Sequence, residues 1–156
     1  MKQIFAGTTL LALFTMAASS QVMAEKDYEV SFKDVAQSVK YVKQLSAPCM
    51  HEPKGNPVYK VPYLGQTGPI KLRDSNNIGG NCVNGAKEVN WAVGTDPNNL
   101  NNTVVTFRHY KNNGTWYTKI STLSGVATAT CNGRPCSDVG TPGVSTEPSP
   151  IVIKLF

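Results

Sequence analysis

The sequence has few of the residues from which enzyme active sites are built. It has only two histidines, His51 and His109, and it shows no nucleophile motif, glycine-rich phosphate loop or cluster with metal-ligand spacing. Two histidines in a basic chain could act as the acid and base of a ribonuclease. His109, however, lies in a strand-like run between Arg108 and Tyr110. We therefore expect no enzymatic activity, no bound metal and no cofactor.

Long hydrophobic runs are also missing beyond the N-terminus. The stretch from Ile4 to about Ala18 is apolar, follows Lys2 and is succeeded by the small-residue ending Val22-Met23-Ala24. This pattern predicts a cleavable secretory signal peptide over residues 1–24. Polar residues interrupt the stretch, so it falls short of the roughly 20 apolar residues that a membrane span needs. No later segment is apolar enough to cross a membrane, and residues 25–156 have the size of one domain.

The positive charge is not concentrated anywhere. The net charge of +5 is distributed along the chain, which is typical of a solvated surface and does not predict nucleic-acid binding.

All four cysteines lie in the exported part of the chain: Cys49, Cys82, Cys131 and Cys136. An even number of cysteines in an oxidising compartment predicts two disulfides. Three pairings are possible, and proximity in the sequence favours Cys49 with Cys82 and Cys131 with Cys136. No Cys-x2-Cys or histidine pair accompanies them, so a zinc site is not expected.

Short apolar runs separated by Gly, Pro and Asn clusters predict an all-β sandwich or barrel. An alternating strand begins at Tyr28, and further strands are predicted at 58–64, 70–72, 89–93, 104–110, 115–120, 126–130 and 151–156. Residues 36–46 could form either a strand or a helix. Asn112-Asn113-Gly114 predicts a tight hairpin. Trp91 and Trp116 could line a sugar site, but a tryptophan in a strand more often belongs to the core.

The order of these pieces resembles that of pilin subunits of the chaperone-usher pathway, with a layout similar to the major subunit of type 1 pili. An alternating strand at 28–35 leads to Cys49, a strand ending in Leu64-Gly65 follows, and Cys82 comes after a strand at 70–74. At the other end, Gly143 is the fourteenth residue from the C-terminus, ahead of an alternating terminal strand.

The resemblance implies an immunoglobulin-like pilin sandwich that lacks its last strand and is completed by a donor strand from another subunit. Residues 25–36 would be the donor-strand extension, not packed in its own core, and 37–156 the pilin domain. The implied residues are, in the donor strand, Tyr28, Val30, Phe32 and Val35, and, in the groove and chaperone-binding strand, Gly143, Ile151, Ile153 and Leu155. The Cys49–Cys82 bond would join two neighbouring strands.

The implied function is that of a structural subunit of a cell-surface fimbrium, exported through the periplasm and contributing to adhesion. Its partners would be other pilin subunits, a periplasmic chaperone and an outer-membrane usher, with a host-surface receptor as a further candidate. Two alternatives remain open. One is a periplasmic or secreted inhibitor or binding module acting through the Cys131–Cys136 loop. The other is a carbohydrate-binding toxin B-type subunit, since residues 124–136 resemble the end of such subunits.

Overall fold

A computed structural model of the chain describes residues 25–76, 81–123, 125–136 and 149–156. The predicted signal peptide at 1–24 and Gly143 lie outside these residues. The described residues form no α-helix, and accordingly none that could cross a membrane. Their strands are β1 (Asp27–Asp34), β2 (Lys40–Ser46), β3 (Met50–Glu52), β4 (Val58–Val61), β5 (Ile70–Asp74), β6 (Lys87–Gly94), β7 (Val105–Asn112), β8 (Thr115–Thr122), β9 (Ala127–Cys131), β10 (Arg134–Pro135) and β11 (Ile151–Leu155).

The strands form two sheets. Sheet A has the order β10-β9-β11-β1-β5-β3 and sheet B the order β4-β2-β6-β7-β8. Within sheet A, β1 runs parallel to β11 and antiparallel to β5. Apolar residues of both sheets join in one hydrophobic core, as expected when two half-buried sheets cover each other. The all-β fold predicted from the short apolar runs is confirmed.

Strand β2 resolves the question that periodicity left open at residues 36–46. Its residues Tyr41 and Val42 pair with β4 on one side and β6 on the other. Branched and aromatic side chains favour this pleated arrangement over a helix. The two short strands β3 and β10 were not predicted, because three and two residues are too few to show a period.

The hairpin predicted at Asn112-Asn113-Gly114 is confirmed. Strands β7 and β8 pair up to Asn112 and Thr115, which leaves Asn113 and Gly114 as a two-residue turn. Both turn residues have positive φ, at 48° and 83°, the conformation that Asn and Gly tolerate best.

Both predicted disulfides are present. Cys49 is bonded to Cys82 and Cys131 to Cys136. The sequence interpretation expected the first bond to join two neighbouring strands, and this is wrong. Cys49 lies in the turn before β3 and Cys82 in the turn before β6, so the bond fastens two loops. The second bond closes the β9–β10 hairpin.

Candidate functional site

Strand β1 is packed in the core of its own chain, and the prediction that residues 25–36 lie outside that core is wrong in this structure. Tyr28 is 1% exposed, and Val30 and Phe32 are fully buried. The alternating apolar face was identified correctly, but it faces the chain's own sheet B. Between β5 and β11 there is consequently no open groove, because β1 fills it.

Aromatic contacts fix the buried face of β1. The Phe32 ring meets Trp91 of β6 edge-on, with the centroids 5.3 Å apart. The Tyr28 ring meets Phe107 of β7 in the same manner at 5.0 Å. Such pairs add to the free energy gained from burying the rings, so β1 contributes to the stability of the isolated domain.

The predicted donor and groove residues are neighbours in the sheet. Val30 is in register with Ile151, and Phe32 with Ile153. Ile151, Ile153 and Leu155 are all fully buried. Val35, just after β1, continues the pairing by donating its backbone N–H to the carbonyl of Leu155 at 2.9 Å. Apart from Gly143, which lies outside the described residues, the structure therefore brings together the two sets of residues that the resemblance assigned to two different subunits.

The end of β1 is held by a buried carboxylate, which sequence reasoning did not identify. Asp34 is 1% exposed and accepts hydrogen bonds from the backbone N–H groups of Ala36, Ser38 and Leu64 at 3.2, 3.0 and 2.9 Å. Burial opposes ionisation of this group, but the three N–H donors outweigh it and lower the pKa of Asp34. Asp34 thus ties residues 35–39, here called the hinge, to the turn before Gly65.

A second polar cluster lies beneath the other end of β1. The Asp74 carboxylate is 4% exposed and accepts hydrogen bonds from the Lys26 backbone N–H at 2.8 Å and from the Tyr28 hydroxyl at 3.4 Å. The Lys87 ammonium is 1% exposed and donates to the carbonyl oxygens of Ser75 and Cys82. Burial raises the pKa of Asp74 and lowers that of Lys87. Both residues occupy inward positions of strands whose other inward residues are apolar, which is a signal that the sequence contained.

His109 is buried in the core, 3% exposed. Its ring stacks on Trp116 with the centroids 4.9 Å apart and the planes at 5°, and its Nδ1 lies 2.8 Å from the Thr118 hydroxyl. Burial lowers its pKa to about 4. His51 instead pairs on the surface with Glu25, at 2.7 Å. The two histidines therefore have different partners, and one is buried while the other is on the surface. Trp91, one of the two tryptophans considered for a sugar site, is fully buried.

The Cys131–Cys136 hairpin presents a small rigid turn. Both cysteines are buried, whereas the four residues between them are exposed. Asn132 and Gly133 take positive φ values of 48° and 74°, which suits a tight turn. Among the described residues no group of three or more histidine, cysteine or acidic side chains could hold a metal ion.

Comparison with known proteins identifies no relative: no family model, curated protein or solved structure matches the chain.

Proposed function

We propose that this chain is a structural subunit of a chaperone-usher fimbrium and that it polymerises by exchanging β1 between subunits. The observation that carries the proposal is the position of β1. It is the first strand of the described chain, it lies inside a sheet, and its inner face is apolar at Tyr28, Val30 and Phe32 and ends at the buried Asp34. The proposal includes an immunoglobulin-like pilin domain in which β1 occupies the chain's own groove until it is exchanged.

The topology permits such an exchange. Both neighbours of β1 come from distant parts of the sequence, at residues 70–74 and 151–155. No tight hairpin therefore links β1 to either of them. When β1 leaves the sheet, the hinge at 35–39 is the segment of backbone that must change conformation. Removal would expose the edges of β5 and β11, and free strand edges accept another strand by β-augmentation.

The two arrangements would bury the same groups of β1, which makes exchange feasible. A neighbour's β1 would bury the same three side chains, worth on the order of 5 to 8 kcal/mol before ordering costs, and it would make the same backbone hydrogen bonds. What differs is the hinge. Gln37 has a φ of 56° in the closed chain, a left-handed conformation that is uncommon for a residue other than glycine. An extended hinge relieves that strain, while the contacts of Asp34 oppose the opening.

During export, a periplasmic chaperone would hold the groove between β5 and β11 before β1 of another subunit enters it, and an outer-membrane usher would order the exchange. The terminal strand β11 would be the surface that the chaperone pairs with. Such a fimbrium would contribute to adhesion at the cell surface.

An engineered disulfide between β1 and β11 tests whether β1 is exchanged between subunits. Lys33 and Lys154 are exposed register partners on β1 and β11, so the double variant Lys33→Cys/Lys154→Cys should form a bond that locks β1 in its own groove. The oxidised double variant should stay monomeric on heating and cooling at high concentration. The parent chain, treated in the same way with both native disulfides intact, should form polymers that run as a ladder in unheated gels.

In the matched control, the engineered disulfide joins β11 to β9 and leaves β1 free. Thr128 of β9 is also an exposed register partner of Lys154, so oxidised Thr128→Cys/Lys154→Cys should polymerise normally. If the β1–β11 cross-link leaves polymer formation intact, or if neither the parent chain nor the oxidised Thr128→Cys/Lys154→Cys variant polymerises, strand exchange of β1 is wrong.

The exposed turn at 132–135 supports a second candidate, a secreted inhibitor or binding module. A rigid loop clamped by a buried disulfide is suited to entering a partner's cleft, because little conformational entropy is lost on binding. This function predicts a mature chain that stays monomeric in every condition above. It also predicts a bound partner that Arg134→Ala releases.

A further inference from the structure

A groove separate from the buried face of β1 lies at the margin of the two sheets, between β4 and the loop that leads into β5. Its volume is about 710 Å³, and the residues that line it include Tyr59, Lys60, Pro62, Gln66, Pro69 and Lys71. This volume lies within the range of small-ligand sites.

The walls of the groove are already fixed without a ligand. Proline rings hold their backbone torsions. The loop wall is also fastened to β1, because the Thr67 backbone N–H donates to the carbonyl of Phe32 at 2.9 Å and the Thr67 hydroxyl accepts from the Phe32 N–H at 3.0 Å. A preformed wall reduces the ordering cost of binding.

The groove favours an anion. Lys60 and Lys71 line it and are exposed, and among the residues the structure describes no carboxylate does so. Glu52 does not line the groove, although its charge acts on Tyr59: burial and, to a smaller extent, the charge of Glu52 raise the pKa of Tyr59. A tyrosine hydroxyl is protonated at neutral pH and can donate a hydrogen bond.

The edge strand beside the groove is unsuited to pairing with a peptide. Strand β4 has Pro57 before it, Pro62 after it and Lys60 in its middle. Prolines and a lysine on an edge strand hinder the addition of a further strand. A ligand in the groove would therefore be held by side chains, since the lining includes a tyrosine, prolines, a glutamine, a threonine and two lysines. These are the groups that stack on and hydrogen-bond a hydroxyl-rich ring carrying a negative charge.

From this combination we infer that the groove lined by Tyr59, Lys60 and Lys71 binds an anionic saccharide, carboxylated or sulfated. The site does not require the strand exchange proposed above, because no residue of β1 lines it and its wall is already held by β1 in the closed monomer.

Calorimetric titration of the mature chain with three trisaccharide- or disaccharide-sized probes tests the inference: lactose, 3′-sialyllactose and lactose 3′-sulfate. At least one acidic probe should bind about tenfold more tightly than lactose at low salt and lose affinity as salt screens the lysines. Preference for one acidic probe identifies carboxylate or sulfate as the group recognised. Failure of both acidic probes to exceed lactose overturns the inference.

Gly68→Phe blocks the groove with little effect on folding. A Cβ at Gly68 would meet nothing within 4 Å, and no left-handed φ is required there. This variant should abolish binding while its urea midpoint stays unchanged. Lys60→Gln/Lys71→Gln should weaken binding about tenfold, because two charged contacts are lost. The matched control is Lys111→Gln/Lys154→Gln, which removes two exposed cations elsewhere and should bind as the parent does.

Two further results would contradict the inference. One is an equal loss of affinity in both lysine pairs, since binding would then reflect net charge alone. The other is competition by an acidic tripeptide such as Glu-Glu-Glu at the affinity of the acidic sugar, since the sugar ring would then contribute nothing. A polymerisation defect, by contrast, would leave this result unaffected.

Discussion

Replacing Phe32 by alanine measures how much β1 contributes to the stability of the chain in which it lies. The Phe32 side chain is fully buried and meets Trp91 edge-on at 5.3 Å. Removing a buried phenylalanine ring costs about 3 to 5 kcal/mol, because transfer free energy is lost and a cavity remains. That loss is a large share of the roughly 5 to 15 kcal/mol by which a domain is stable.

The assay is urea unfolding of the monomeric mature chain, followed by tryptophan fluorescence. With a slope of about 2 kcal/mol per molar urea, a loss of about 4 kcal/mol lowers the midpoint by about 2 M. The dependence of the unfolding free energy on urea concentration should equal that of the parent, since both chains should expose the same surface area on unfolding.

Phe156→Ala provides the matched control. The Phe156 side chain is 49% exposed and follows β11, so the same truncation should cost less than about 1 kcal/mol. If Phe32→Ala costs no more than Phe156→Ala, β1 does not pack in its own core in solution. The open-groove arrangement implied by the pilin resemblance would then be correct for the isolated chain.

Three further predictions follow from other contacts. Asp34→Asn should lower the urea midpoint and speed hydrogen exchange at the Leu64 and Ser38 amides, because the amide is a weaker acceptor than the carboxylate. Since the pKa of Asp34 is lowered on folding, the parent should lose the stabilisation by the Asp34 carboxylate only as the pH falls below about 4. If the variant loses stability in acid just as the parent does, the role assigned to Asp34 is wrong. His109 has a folded pKa of about 4 against about 6.5 unfolded, so the unfolded chain takes up a proton between these values and stability should fall on acidification by up to about 1.4 kcal/mol per pH unit. His109→Phe should flatten that slope, and an equally steep profile would mean that another group titrates. Cys49→Ser/Cys82→Ser opens a loop with a sequence separation of 33 and should cost roughly 3 to 4 kcal/mol, whereas a loss under about 1 kcal/mol would show that the Lys87 contacts to Ser75 and Cys82 hold these loops unaided.

Several features of the structure could be predicted because they depend on neighbouring residues. The alternation around Val30 and around Ile153 marks a strand with one buried face, since side chains along a strand point to opposite sides. Asn113-Gly114 specifies its own turn because both residues tolerate positive φ. The two disulfides follow the order of the cysteines, for which the shortest loops are the easiest to close.

The placement of β1 depended on interactions across the whole chain. The apolar face of Tyr28, Val30 and Phe32 is compatible with a groove in its own domain or in another subunit, because the same side chains would be buried in either. Only the tertiary structure places it between β5 and β11, where Trp91 and Phe107 meet its rings.

The buried charges also show which features the sequence predicts and which the tertiary structure decides. The sequence shows that Asp74 and Lys87 lie at inward positions of apolar strands, but a charge in that position is stable only where partners surround it. The hydroxyl of Tyr28 and the carbonyls of Ser75 and Cys82 come from separate segments, so folding alone brings them within reach. Local patterns therefore determined most of the longer strands, the turn and the covalent bonds. The tertiary structure decided what each buried face touches, because burial energy depends on the partner and not on the pattern.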